Sequence, residues 1–260
     1  MVSSIKNKFL KLKAEGKRAF IPYIMAGYPS AEDTLKFLDI LEESGADIVE
    51  LGVPFTDPLA DGPVIQAASQ EALKEGMSLR KVLALVEAIR KRYSIVLVLM
   101  TYYNPVFKYG EENFVKDARN AGVNGVIIPD LPPDEADSLR TLSRRFGLDT
   151  IFLAAPTSTE ERLRLIARAS TGFIYYVSIT GITGARLLLD GSQKAAVERL
   201  RLLSAKPVAT GFGVSTPEEA TLVAEFSDGV IVGSAIVRRL KGDSSELKRY
   251  LKEMAEAIHQ

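Results

Sequence analysis

The sequence contains no cysteine and only one histidine, His259. Without cysteine, the chain has no disulfide bond, no thiol nucleophile and no thiolate metal site. His259 lies one residue from the end of the chain, where we expect fraying, so catalysis by histidine and a histidine-ligated metal are not expected. We predict no metal site, and any chemistry must use carboxylates, hydroxyls, lysine or arginine.

Excess charge and long apolar runs are also missing. The 33 lysine and arginine residues equal the 33 aspartate and glutamate residues, so net charge gives no support for nucleic-acid or anionic-membrane binding. The longest apolar run, Ile95 to Met100, is too short to cross a bilayer. Met1 to Lys13 is lysine-rich and amphipathic, which predicts a helix without an apolar signal core. We expect a cytoplasmic protein.

Short apolar runs alternate with helical patterns along the chain. Eight runs predict strands, at 20–26, 46–52, 94–101, 123–129, 149–155, 173–178, 207–211 and 228–232. Most are apolar on both faces, as in a parallel sheet covered by helices. Eight such units in about 250 residues fit an α/β (β/α)₈ TIM barrel. We predict one barrel domain, residues 1–260, with an extra N-terminal helix.

One carboxylate lies within the second predicted strand and another follows it. Glu50 interrupts its apolar residues, and Asp61 comes after a loop stiffened by Pro54 and Pro58. A buried acid is costly unless it is satisfied or used, and two fixed acids suit proton transfer. Alternatively, Glu50 forms an ion pair, and Asp61, followed by Gly62, is a turn residue.

Other polar residues lie at predicted strand ends, where barrel active sites form. Tyr102 and Tyr175 are either site residues or core residues with locally satisfied hydroxyls. Asp130 is either a site residue or the turn into the next helix. Thr183 follows the sixth strand.

Glycines follow the last three strands. They are Gly181 to Gly184, Gly211 to Gly213, and Gly233 followed by Ser234. Glycine lets backbone amides approach a ligand closely, and barrel enzymes often bind phosphate after strands seven and eight. The groups predict a phosphate site, the alternative being tight turns alone. Between them, Thr216, Pro217 and Glu219 form a strong helix start.

Several motifs resemble the tryptophan synthase alpha chain family along nearly the whole chain. They are Glu-Leu-Gly-Val-Pro-Phe-Thr-Asp-Pro-Leu-Ala-Asp-Gly-Pro at 50–63, Ile-Ile-Pro-Asp-Leu-Pro at 127–132, Thr-Gly-Ile-Thr-Gly-Ala at 180–185, Gly-Phe-Gly-Val-Ser at 211–215 and Val-Gly-Ser-Ala-Ile-Val at 232–237. Two departures are Thr56, where serine is common, and Ile179, where some relatives have a basic residue. Thr56 retains the hydroxyl.

This resemblance implies retro-aldol cleavage of indole-3-glycerol phosphate to indole and glyceraldehyde 3-phosphate. It implies that Glu50 is the acid–base catalyst and that Asp61 faces the indole nitrogen. Tyr23, Tyr102 and Tyr175 would bind substrate with Thr183, and the phosphate would accept hydrogen bonds from the set Gly184, Gly213, Gly233 and Ser234.

The resemblance also implies a partner. Family members pair with a beta chain as an alpha2-beta2 heterotetramer, and pyridoxal phosphate is expected only on that beta chain, with no cofactor in this one. The expected interface comprises Pro54, Phe55, Thr56, Asp57, Asn104, Phe107, Asp130 and Leu131. Loops 54–63 and 180–190 are expected to be flexible and to close during stimulation by the partner.

Two alternatives are weaker. A Schiff-base aldolase needs a lysine at a strand end, but Lys206 lies at the start of the seventh strand. Phosphate-binding barrel isomerases and cyclases commonly use acids or lysine on strands one, three and five, but strands one and five end here without them. The alternative from another class is a non-catalytic barrel subunit that regulates a partner enzyme; the presence of both Glu50 and Asp61 disfavours it.

Overall fold

Nine parallel strands form one sheet in the computed structural model, which describes residues 3–177, 191–211 and 213–260. The strands are β1 (Ala19–Met25), β2 (Ile48–Gly52), β3 (Val96–Met100), β4 (Gly125–Ile127), β5 (Asp149–Ile151), β6 (Leu153–Ala154), β7 (Ile174–Val177), β8 (Val208–Gly211) and β9 (Gly229–Val232). Their order in the sheet is β5-β4-β3-β2-β1-β9-β8-β7-β6.

The two edges of this sheet, β5 and β6, are consecutive in the chain and separated only by Phe152. The sequence predicted one strand at 149–155, and this prediction is corrected to two. Phe152 directs its N–H to the Ser170 hydroxyl, at 3.3 Å, while its carbonyl accepts from the Tyr175 N–H, at 3.1 Å. The segment 149–154 therefore pairs with β4 through β5 and with β7 through β6, which nearly closes the predicted barrel.

Helices follow the strands, as expected for a (β/α)₈ barrel. Within the described residues they are α1 (Ser4–Ala14), α2 (Ala31–Glu43), α3 (Pro63–Lys74), α4 (Leu79–Arg90), α5 (Tyr103–Tyr109), α6 (Glu111–Ala121), α7 (Asp137–Phe146), α8 (Glu160–Ala169), α9 (Ser192–Leu203), α10 (Pro217–Ala224), α11 (Ser234–Val237) and α12 (Ser244–Ile258). None of the helices in these ranges is long and apolar enough to span a membrane.

Helix α5 was not predicted, although it begins only two residues after the strand predicted at 94–101. The Tyr103 N–H at the helix start donates to the Asp130 carboxylate, at 2.9 Å. That acceptor comes from the loop after β4, so a distant residue supplies the cap that the local sequence lacks.

The extra N-terminal helix is present and closes one end of the barrel. Ile5, Phe9 and Leu12 of α1 pack in the same buried cluster as Ile48 of β2 and Ile231 of β9. A second, larger cluster lies between the strands and the outer helices. The helix thus fills the barrel end opposite the strand ends that carry the site.

The expectation of a frayed C-terminus is wrong. His259 Nε2 lies 2.8 Å from Asp47 Oδ2, and the same carboxylate oxygen accepts from the Phe20 N–H, at 3.0 Å. Lys8 of α1 lies 3.6 Å from the other oxygen of Asp47. The end of α12 is therefore tied to the first two strands.

Candidate active site

A cavity of about 430 Å³ lies at the carboxyl ends of the strands. It brings together side chains and glycines that the sequence predicted separately: Tyr23, Glu50, Asp61, Tyr175, Gly213, Gly233 and Ser234. The apolar side chains of Ile65, Met100 and Ile231 also line it. Thr183 and Gly184 fall in 178–190, outside the described residues.

Glu50 points into the barrel because side chains alternate along β2. Ile48 belongs to the inner cluster, whereas Val49 and Leu51 belong to the outer one. Glu50 is 1% exposed, and its Oε2 has no hydrogen-bond partner among the described residues. The ion-pair alternative for this residue is therefore not supported.

Burial controls the protonation of Glu50. Desolvation raises its pKa to about 8, and the nearby Asp61 carboxylate adds to the rise. The carboxyl group therefore carries a proton at neutral pH and can donate it.

Asp61 is held in a different environment. Desolvation raises its pKa to about 6, while a hydrogen bond from the Tyr102 hydroxyl opposes the rise. Asp61 is consequently ionised at neutral pH. The two carboxyls in one cavity have opposite protonation states, which is the arrangement required of an acid and a base.

Tyr102 positions the Asp61 loop and is not among the residues that line the cavity. Its hydroxyl also accepts from the Ala60 N–H, at 3.1 Å, and its ring stacks on Phe55 with centroids 5.3 Å apart. Ser69 of α3 holds the same loop, accepting from the Phe55 N–H at 2.9 Å. No local pattern in the sequence identified Ser69 as part of the site.

Tyr23 and Tyr175 form two walls of the cavity and are 5% and 6% exposed. Burial raises the pKa of both phenols well above the ordinary value, and the Glu50 and Asp61 carboxyls add to it. Each tyrosine ring occupies space that is open only because the adjacent strand has a glycine there. A Cβ at Gly52 would collide with the Tyr23 hydroxyl, and one at Gly211 with that of Tyr175.

Three of the predicted phosphate residues, Gly213, Gly233 and Ser234, line the same cavity. Gly213 has a φ of +80°, which favours glycine, and Gly233 immediately precedes α11. Ser234 is the first residue of α11, where backbone N–H groups lack partners within the helix. The sequence missed Glu219 and Arg238, which also line the cavity. The four-residue spacing from Ser234 was the available signal for Arg238.

The predicted partner residues differ in exposure. Thr56, Asp57, Asn104 and Asp130 are exposed, and Phe107 is 66% exposed. Phe55 is half-buried, whereas Pro54 and Leu131 are buried within the chain and offer little surface. No group of three or more histidine, aspartate or glutamate side chains in the described ranges could hold a metal ion.

The fold and the site define a (β/α)₈-barrel enzyme whose cavity is lined by the Glu50 and Asp61 carboxyls and by glycines. The family model of the tryptophan synthase alpha chain matches residues 9–260. The alpha chain of Geotalea daltonii is 47% identical over 255 residues, covering 98% of this chain and 97% of its own. That of Geobacter sulfurreducens is 46% identical over 260 residues, with 100% and 98% covered.

Solved structures agree. Mycobacterium tuberculosis tryptophan synthase has a TM-score of 0.94 at 40% identity, with both chains fully covered. The alpha subunit from Legionella pneumophila has a TM-score of 0.91 at 39% identity, with 99% of both chains covered. The chain belongs to the tryptophan synthase alpha chain family, as the sequence predicted. This family cleaves indole-3-glycerol phosphate, which favours the lyase over the regulatory alternative.

Proposed function

We propose that Glu50 and Asp61 carry out the retro-aldol cleavage of indole-3-glycerol phosphate to indole and glyceraldehyde 3-phosphate. The observation that carries this assignment is that both carboxyls line one cavity with pKa values of about 8 and about 6. Around neutral pH, one holds a proton and the other does not.

In the first step, Glu50 donates its proton to carbon 3 of the indole ring, and Asp61 accepts the ring N–H proton. The product is an imine-like tautomer that can accept an electron pair. The apolar walls formed by Ile65, Met100 and Ile231 suit a flat aromatic ring.

In the second step, ionised Glu50 removes the proton of the side-chain hydroxyl. The carbon–carbon bond breaks, its electron pair returns to the ring, and the ring nitrogen recovers a proton from Asp61. Glu50 ends protonated and Asp61 ionised, so both groups are ready for another turnover.

The phosphate group binds beside Gly213, Gly233 and Ser234, with Gly184 as a further contact, and Thr183 binds the substrate. Backbone amides at a loop and at a helix start suit an anion. Tyr23 and Tyr175, as neutral phenols, contact the indole and the reacting carbons.

Replacement of the acid tests the assignment. Glu50→Gln should lower kcat for indole release by a factor on the order of 10² or more, with phosphate-ligand binding largely intact. Glu87→Gln, at an exposed position of α4, is the matched control. Normal turnover by Glu50→Gln would show that the assignment is wrong.

The partner of this chain is a beta chain that carries pyridoxal phosphate, in an alpha2-beta2 assembly. Support comes from the exposed apolar side chains near the cavity loop, Leu59 at 89% and Phe107 at 66%. Phe107→Asp should weaken association measured by sedimentation with that beta chain. Leu202→Asp, at an 88% exposed position of α9, should not. Equal association of the two variants would contradict this surface.

A further inference from the structure

The charges that line the cavity are poorly suited to a phosphate ester, with one exception. Glu50, Asp61 and Glu219 are all carboxyls, and Arg238 is the only lysine or arginine among the described lining residues. A phosphate ester carries a charge of about −1.5 to −2 near neutral pH. Neutral backbone amides alone would have to hold this charge beside acidic groups.

Arg238 lies one helical turn after Ser234. Its N–H donates to the Ser234 carbonyl, at 3.1 Å, so the two residues share a face of α11. Helical side chains lean towards the helix N-terminus, which directs the Arg238 side chain towards Gly233 and Ser234. Since α11 has only four residues, its own dipole contributes little positive potential there.

The Glu219 carboxylate increases the need for the positive charge of Arg238 if the cavity is to hold an anion. Its Oε2 accepts from the Ser215 N–H at 2.7 Å, the Ser215 hydroxyl at 2.9 Å and the Thr216 N–H at 3.2 Å. The carboxylate is therefore fixed on the cavity wall, where it repels an anion. In the described part of the chain, no carboxylate oxygen lies within 4.0 Å of the Arg238 guanidinium.

Arg238 and Glu219 act on the same region of the wall. Both influence Tyr250, whose hydroxyl donates to the Ser215 carbonyl, at 3.0 Å. Burial raises the pKa of the Tyr250 phenol to about 12, the positive charges of Arg239 and Arg238 lower it, and the negative charge of Glu219 raises it. Ser215, Glu219 and Arg238 are all among the residues that line the cavity.

We propose that Arg238 binds the phosphate group of the substrate and sets the preference for phosphorylated over unphosphorylated ligands. This inference rests on the proposed function. A guanidinium presents several N–H donors in a plane that matches phosphate oxygens, so the contact is charge-assisted.

Kinetics and direct binding test the proposal on the full chain. Arg238→Gln should raise KM for indole-3-glycerol phosphate about tenfold and change kcat less than threefold, as expected for lost binding. Glycerol 3-phosphate, measured by calorimetry, should bind about tenfold more weakly, and indole should bind as before. Arg238→Lys should restore part of the affinity, and raised ionic strength should weaken wild-type phosphate binding more than that of Arg238→Gln.

Arg168→Gln is the matched control, since it removes the same charge from an exposed position of α8 outside the cavity lining. Phosphate-ligand affinity within twofold of wild type in Arg238→Gln would overturn the proposal. Equal weakening of indole and glycerol 3-phosphate would also overturn it, because that result indicates a structural role. Failure of the wild-type chain to release indole would instead contradict the proposed function.

Discussion

At the scale of single residues, the site depends on two carboxyls whose surroundings differ. Glu50 is enclosed by the barrel wall and keeps its proton, whereas Asp61 is stabilised as an anion by the Tyr102 hydroxyl. In the proposed mechanism, the same functional group therefore supplies an acid and a base. The sequence predicted both residues, but nothing local to Asp61 identified Tyr102 as the group that tunes it.

The pH dependence of catalysis follows from these pKa values. The proposed mechanism requires protonated Glu50 and ionised Asp61, so kcat/KM should be highest between about pH 6 and pH 8. It should fall below this window as Asp61 gains a proton, and above it as Glu50 loses one. Initial rates of indole release from pH 4.5 to 9.5 provide the test. A single ionisation near that of free glutamate would contradict the assignment.

Tyr102→Phe should move the acidic limb of that profile to higher pH. The hydroxyl lowers the pKa of Asp61, so its removal raises that pKa, and more of the base is protonated at a given pH. The alkaline limb, set by Glu50, should move less. Tyr103→Phe is the control, since the Tyr103 hydroxyl bonds to Glu111 instead, at 3.0 Å. An unchanged acidic limb in Tyr102→Phe would show that the Tyr102 hydroxyl does not lower the pKa of Asp61.

At the scale of elements, neighbouring strands are matched in a way that single-strand patterns do not reveal. Tyr23 of β1 lies over Gly52 of β2, and Tyr175 of β7 lies over Gly211 of β8. The sequence predicted the strands from their apolar runs, and placed the site from the rule that barrel sites lie at carboxyl ends. It could not show that these glycines make room for rings, because that depends on register between strands.

Gly52→Ala should therefore destabilise the protein by about 1–3 kcal/mol and weaken indole binding, because the new methyl group displaces the Tyr23 ring. The cost should shrink in a Tyr23→Ala background, which a double-mutant cycle of denaturant unfolding would detect. Gly233→Ala is the control, since its Cβ would lie 3.6 Å from the same tyrosine, an ordinary contact. Equal stability of Gly52→Ala and wild type would argue against this packing.

At the scale of the whole molecule, contacts between distant segments complete the barrel. Asp130 caps α5, Phe152 splits the fifth predicted strand, and Asp47 holds His259 at the chain end. Periodicity and capping signals act over a few residues, so they predicted the alternation of strands and helices but none of these links. The barrel could be predicted from the sequence, whereas the contacts between distant segments became visible only in the structure.

His259→Ala should lower the free energy of unfolding by about 1–2 kcal/mol, because buried Asp47 loses a hydrogen-bond partner. The midpoint of denaturant unfolding measures this change, and kcat should stay near the wild-type value. Lys248→Ala removes a more exposed ion pair with Glu43 between α12 and α2, so it should cost less. A larger loss from Lys248→Ala than from His259→Ala would count against the role of the chain end.

A crystal structure of Glu50→Gln soaked with indole-3-glycerol phosphate would show whether the substrate meets both acidic positions. We expect the ring nitrogen within hydrogen-bond distance of Asp61, carbon 3 beside residue 50, and the phosphate against Gly213, Gly233 and Ser234. A substrate bound away from both acidic positions, or a divalent ion lying between them, would contradict the account.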